Sequence, residues 1–328
     1  MRILIIGGTR FLGRHLVAAA LAAGHQVTLF NRGLSAPDLY PEVEQLHGNR
    51  DGDLKSLADR TWDAVVDTCG YVPRVVQQSV DALSHRTKRY LFVSSISVYR
   101  DPSRAGVAED APLAELSAPT SEDVVASYGA LKAACERVVC DVFAERSLVV
   151  RPGLIVGPHD PTNRFSYWVR RCARGGAVLL PGVPDYPVQF IDAHDLASWM
   201  IDLLQCEISG TFNAVGPRQP LTLSGFISRC AHALGTSVRP VWVAREFLRQ
   251  HAVQPWTDLP LWAGEEAAGF AQISGERGWS AGLCHRSLED TVRDTWRWCS
   301  SRADGGPAGG LAEAREAALL ALWSQLPH

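Results

Sequence analysis

The chain has 328 residues, 46% hydrophobic and 20% charged, with a net charge of −3. This length suits one large domain or two intimate ones, and the composition is that of an ordinary globular protein. The charge balance and the lack of a long basic run exclude a general nucleic-acid field, and the most apolar later stretch, Leu16–Ala23, is far below the ~20 residues of a membrane span.

The run Ile3–Ile6 is too short for a signal peptide and ends in glycines. The eight cysteines are scattered with no CxxC pair, so no metal site is expected and a reducing compartment is. Together these features predict a cytoplasmic protein that binds neither membrane nor nucleic acid.

Short apolar runs alternate with helical patterns over the first 150 residues. Strands are predicted at Arg2–Ile6, Gln26–Phe30, Val43–His47, Ala64–Asp67, Tyr90–Ser94 and Leu148–Arg151. Helices are predicted at Phe11–Ala23, Pro73–Leu83 and Val124–Ala144, with Gly24 as the first C-cap. Continuous Val/Ile/Leu strands separated by helices indicate an α/β fold, a Rossmann-type doubly wound parallel sheet covered on both faces. After residue 152 the texture changes, with frequent Pro and Gly and clustered tryptophans, which indicates a smaller C-terminal α+β lobe. The expected division is a nucleotide-binding domain over 1–155, a substrate lobe over 156–300 interleaved with it, and a linker plus C-terminal helix over 301–328. In that helix residues 318, 319, 322, 323 and 326 share an apolar face; docking on the body is expected, a partner-binding helix being the alternative.

The first strand runs into GGTRFLG. A strand followed by spaced glycines at a helix start cradles a pyrophosphate, because the glycines permit a tight turn, close backbone approach and close helix packing. Gly7 and Gly13 take the outer places and Arg10 the middle one, with Thr9, Phe11 and Leu12 between them. The second strand ends in Asn31 and Arg32 with no acid to hold a ribose 2′-hydroxyl. An arginine there can fork onto a 2′-phosphate, which favours NADP while NAD stays open. A solvated turn is the competing reading of Arg32.

Two further motifs carry chemistry. YGALK places Tyr128 and Lys132 on one helix face, where an ammonium is expected to lower the phenol's pKa. RYLFVSSISVY is a buried strand ending in hydroxyls, at the sheet edge where open α/β folds place ligands.

With these motifs in order, the chain resembles the short-chain dehydrogenase/reductase superfamily, in its extended or atypical NAD-dependent epimerase/dehydratase branch. DAVVDTCGY, GNRDGDL, RPGLIVGP, VQFIDAHDLA, GTFNAVGP and RSLEDTVRDTWRW match that branch in sequence over about residues 1–300. The resemblance implies Tyr128 as acid/base, Lys132 as holder of the nicotinamide ribose, and Ser95 as hydrogen-bond donor to the substrate oxygen, with Ser94 as alternative. It implies cofactor contacts at Cys69 and Gly70, at Asn49 and Arg50 near adenine, and at Pro152, Gly153 and Ile155 near nicotinamide. Ile96 and Ser97 stand where related dehydratases carry Asp-Glu, which disfavours 4,6-dehydration.

The expected function is an NAD(P)-dependent reductase of a small polar, sugar-like or secondary-metabolite molecule. A sugar or nucleotide-sugar epimerase with tightly held NAD(P) is the alternative, and a cofactor-sensing or RNA-associated scaffold is a third reading. The resemblance also implies a homodimer. Arg164, Tyr167, Trp168 and Trp262 are candidate substrate contacts, Trp256 and Trp262 being open to a core role. Arg170, Arg171 and Arg174 could meet an anion or form a solvated face. The loop 100–122 reads as a flap or a passive excursion, and His159 and His194 as structural.

Overall fold

The computed structural model describes residues 1–101, 103–264, 267–302 and 309–326. The first half alternates β1 (Arg2–Ile6), α1 (Leu12–Ala22), β2 (Gln26–Asn31), β3 (Glu44–His47), β4 (Trp62–Asp67), α2 (Pro73–Leu83), β5 (Thr87–Val93), α3 (Val124–Phe143) and β6 (Ser147–Pro152). These agree with the predicted elements to within a few residues. Gly24, at φ +74°, ends α1 as expected: its amide bonds Leu21 O and the next amide bonds Ala20 O.

The second half contains β7 (Leu154–Val156), α4 (Arg164–Ala173), β8 (Gly176–Pro181), β9 (Pro187–Val188), β10 (Phe190–Asp192), α5 (Ala193–Gln205), β11 (Gly210–Ala214), β12 (Leu221–Thr222) and α6 (Leu223–Ala233). It closes with β13 (Val238–Val243), α7 (Arg245–Gln250), α8 (Glu276–Ser280), α9 (Leu288–Ser300) and α10 (Glu313–Trp323).

Seven strands form one parallel sheet in the order β11-β6-β5-β4-β1-β2-β3. The two-residue side-chain period of a strand serves both faces. Ile3 and Ile5 pack with Leu16 of α1 and Met200 of α5, while Leu4 and Ile6 pack with Val80 of α2 and Val139 of α3. Buried on both sides, such strands have no polar face, which is why they read as continuous apolar runs.

The smaller lobe has its own core, built on Phe165, Phe190 and Phe226 with ring centroids 5.2–6.0 Å apart. β11 and α5 return from this half of the chain to the first sheet, so the two halves interleave. Several of its strands are two or three residues long, too short to leave a periodic signal.

The C-terminal helix docks, though not by the expected face. Ala318, Leu322 and Leu326 are exposed, whereas Leu319 is buried and Trp323 packs on Phe247 at 5.1 Å. The deciding residue is Glu316, which accepts from Arg171 Nε at 2.6 Å and from the Leu179 amide at 3.1 Å, with both side chains of the pair buried. Arg171 and Arg174 are thus committed to α10, Arg174 through Glu313 at 2.6 Å, and Arg170 bonds Asn163. The expected connector over 301–310 lies largely outside the described residues.

Removing one partner of a buried pair strands the other charge. Glu316→Ala is therefore expected to cost about 3–5 kcal/mol of stability, read from the urea midpoint. The double change Glu316→Leu, Arg171→Met should recover most of that loss.

Candidate active site

Strand order turns back at β1, with β2 and β3 on one side and β4 on the other. A crevice opens at the carboxyl ends there, and a cavity of about 670 Å³ occupies it. The turn after β1 supplies Gly7 and residues 9–13 to its wall. Gly7 has φ +111°, and a Cβ there would stand 2.4 Å from Thr68 Oγ1. A Cβ on Gly13 would lie 2.8 Å from the backbone of Gly8, so helix and turn touch main chain to main chain. Gly8 itself, at φ +95°, has no room beside Leu29. Arg10 needs no left-handed backbone, so a side chain is admitted where the common pattern has glycine.

The α1 N-terminus carries no side-chain cap and no acid in its first turn. The Gly13 and Arg14 amides bond the turn carbonyls of Arg10 and Phe11, so the Leu12 amide and the partial positive charge of the helix start are what face the crevice.

At the next strand end, Asn31 and Arg32 line the cavity. Asn31 Oδ1 accepts from the Gly33 amide at 2.7 Å, and its Nδ2 is buried without a partner. Arg10 and Arg32 are exposed on the rim, and no hydrogen bond or ion pair joins either side chain to the described residues. Asn49 lines the same end, its Oδ1 taken by the Asp51 amide. Arg50 also borders the cavity, but its guanidinium is not available as expected: Nη1 and Nη2 clamp the wholly buried Asp67 at 2.7 and 2.8 Å.

The reactive end lies at β5 and the start of α3. Lys132 is 2% exposed, and its Nζ donates to Gly70 O at 2.7 Å and Val93 O at 2.6 Å, leaving one of three N–H groups. Burial draws its pKa down to about 8. Burial holds the Tyr128 phenol above the ordinary value, opposed by the nearby Ser95 hydroxyl and by the charge of Arg164. This corrects the expectation that Lys132 lowers it: helix spacing sets both residues on one face, but the ammonium is taken by two backbone carbonyls.

Ser95 caps the following turn by accepting from the Ser97 amide at 3.1 Å. Ser94 borders the cavity with a buried, unpartnered hydroxyl. What brings Tyr128 to this turn is Gly129, where a Cβ would stand 2.0 Å from Ser97 O. The helix is also broken locally at Ser127, whose backbone is not helical. Gly8, Asp67 and Gly129 were missed as site residues. Their signals were a second glycine in the turn, an acid inside a buried strand, and a glycine within the YGALK helix.

Cys69 and Ile155 line the cavity. Gly70 contributes its carbonyl to Lys132, and a Cβ there would meet Phe92 at 2.5 Å. Pro152 and Gly153 stand behind the cavity wall, Gly153 against Val215.

Three candidate substrate residues are corrected to core. Trp168 is fully buried with Nε1 donating to Pro260 O, and Tyr167 and Trp262 are 6% and 4% exposed inside the smaller lobe. Arg164 differs. It sits over the Trp256 ring at 5.8 Å and is felt by Tyr128.

The loop 100–122 is pinned rather than free to close as a flap. Tyr99 bridges Leu113, the Gly106 amide bonds Gln272 O, and Glu109 Oε1 accepts from the Asn213 amide at 2.8 Å. Arg151, paired with Glu136, donates to the Glu109 carbonyl at 2.9 Å and to Tyr99 Oη at 3.1 Å. His159 Nδ1 lies 2.9 Å from Arg14 Nη1, and His194 forms a surface pair with Asp195.

The family model for the NAD dependent epimerase/dehydratase family matches residues 3–216. The chain belongs to that family. A UDP-glucose 4-epimerase of Neisseria meningitidis serogroup B is 23% identical over 93% of this chain and 98% of its own length. The 2'-dehydrokanamycin reductase of Streptomyces kanamyceticus is 27% identical over 75% of this chain and 70% of its own. Among solved structures, UDP-glucuronic acid 4-epimerase from Bacillus cereus, in complex with NAD, superposes with TM-score 0.67 at 17% identity, covering 94% of this chain and 99% of that one. No described helix is long and apolar enough to cross a membrane.

Gly13→Ala must force the α1 start away from the Gly8 backbone. It is expected to weaken dinucleotide binding at least about tenfold, read by reduced-nicotinamide fluorescence, with far-ultraviolet circular dichroism confirming a retained fold.

Proposed function

We propose that this chain is an NAD(P)-dependent epimerase of a sugar carried on a nucleotide, working through Tyr128. The observation that carries the reading is that Ser94, Tyr128 and Lys132 line one end of a crevice whose other end is a glycine-built turn at a helix start. The full-length similarity to 4-epimerases supports this reading over the reductase expected from sequence.

The residues present suit a dinucleotide. The α1 amides and the Gly7–Gly13 turn would take the pyrophosphate, Arg10, Asn31 and Arg32 the adenosine end, and Lys132 the nicotinamide ribose. A bound nicotinamide supplies reversible hydride acceptance. The chain's own residues manage the proton and the geometry. Tyr128 exchanges a proton with the hydroxyl of the reacting carbon, and Ser95 holds that oxygen and the phenol in line. The Ser95 hydroxyl and the Arg164 charge both favour a phenolate. The centre would be inverted if the carbon-bound hydrogen, given up as hydride to a bound nicotinamide while Tyr128 takes the hydroxyl proton, were returned to the opposite face of the carbonyl after the sugar had turned.

One observation favours a second reading, reduction with NADPH. Arg10 and Arg32 stand on the cavity rim without a hydrogen-bond or ion-pair partner among the described residues, and β2 ends without an acid. Such a pair suits a 2′-phosphate, and a reductase is among the relatives.

Incubation with UDP-glucose or UDP-glucuronic acid, followed by proton NMR at the C4 position, tests the first reading. Epimer formation without net nicotinamide reduction is expected, and Tyr128→Phe should lower the rate about 10²–10⁴-fold. Stoichiometric consumption of NADPH with a keto-sugar and no epimer would establish the second reading instead. Arg32→Asp should weaken NADPH much more than NADH; equal losses would remove Arg32 from the 2′-phosphate site.

A further inference from the structure

Asp67 ends β4 wholly buried, and the chemistry above does not use it. Its carboxylate is saturated: it accepts from both Arg50 amines, from Tyr90 Oη at 2.9 Å and from the Cys69 amide at 3.1 Å. A buried pair of this kind gains little stability over apolar residues of equal volume. Its position supplies a different use.

Two connections run from Asp67 to Lys132. The first is geometric. The bond to the Cys69 amide shapes the turn after β4, and the following carbonyl, Gly70 O, accepts from Lys132 Nζ at 2.7 Å. Asp67 Oδ2 stands 3.2 Å from where a Gly70 Cβ would be, so the carboxylate lies against this turn.

The second is charge. Lys132 lies over the Phe92 ring at 4.1 Å, between two carbonyls, with no carboxylate in hydrogen-bond contact. The titratable groups around it are Asp67 from β4, Cys69 from the turn, and Cys135 and Glu136 from its own helix. Tyr71 also faces it, at 5.4 Å from the ring centroid. Glu136 is bound on both oxygens by Arg151. Burial pushes the Cys69 and Cys135 thiols up, so both are neutral. Asp67 is the strongest influence holding the proton on Lys132 against its burial.

We propose that Asp67 is a positioning residue for Lys132: clamped by Arg50 and Tyr90, it shapes the turn that receives Nζ and sets a carboxylate behind that turn. This rests on the reading of Lys132 as part of a nicotinamide site, and the test separates the two.

The chain has three lysines, Lys55, Lys88 and Lys132, and the first two are exposed. Protein labelled with ¹³Cε-lysine therefore gives an assignable Lys132 titration by NMR. The sign follows from the ammonium's loss of its proton as pH rises through about 8; removing a nearby anion moves that loss to lower pH. In Asp67→Asn the Lys132 midpoint should fall by about one pH unit or more, while Lys55 and Lys88 stay fixed. The alkaline limb of any catalytic pH profile should move the same way. Should the single variant not fold, Asp67→Asn with Arg50→Gln removes the pair together, and the Lys132 midpoint should still fall, by less than in the single variant, because the closer charge is the carboxylate. An unmoved Lys132 midpoint in a folded variant overturns the proposal and leaves Asp67 a structural residue. A shifted midpoint in a protein whose wild type binds no NAD(H) or NADP(H) overturns the nicotinamide reading alone.

Discussion

The parallel sheet turns back on itself at β1, and that reversal leaves its carboxyl edge open. Strands on either side carry their loops away from each other, so a long ligand can lie across the ends without displacing packed side chains. The useful groups ride these ends: the glycine turn on β1, Asn31 and Arg32 on β2, Asp67 and the Cys69–Gly70 turn on β4, the serines on β5. The sheet is rigid because both faces are buried, so spacing between the groups is fixed before any ligand arrives.

Close main-chain contact is the second requirement. Gly13 on Gly8, Gly70 beside Phe92 and Gly129 on Ser97 each mark a place where a methyl group would force two elements apart. In each case the contact brings a chemical feature within reach: the α1 start to the crevice, a carbonyl to Lys132, and a phenol to the turn after β5. Glycine contributes no side chain to the site, yet its absence of Cβ sets the distances.

Much of this was legible in order along the chain. Strands buried on both faces write themselves as apolar runs, so β1, β2, β4, β5 and β6 were visible, and the glycine turn and YGALK marked the crevice. What stayed hidden depends on partners far apart in sequence. Arg50 looked like a cofactor contact until Asp67 claimed it across 17 residues. Arg171 looked like an anion receptor until Glu316 claimed it across 145. Tyr167, Trp168 and Trp262 looked like a pocket because aromatic residues serve cores and ligands alike. The expected C-terminal apolar face failed because a charged residue, Glu316, makes the deepest contact of that helix. Tyr128 and Lys132 line one crevice, as helix spacing suggested, but local spacing could not show that two backbone carbonyls would take the ammonium.

The anchoring of the 100–122 loop has a consequence for how this scaffold can change. Glu109 joins the loop to Asn213 on β11 and, through its carbonyl, to Arg151 on β6, and Arg151 braces Glu136 on the helix that carries Tyr128. The loop and the placement of the phenol thus share one set of fastenings. An insertion into this loop would also loosen the helix start that presents Tyr128.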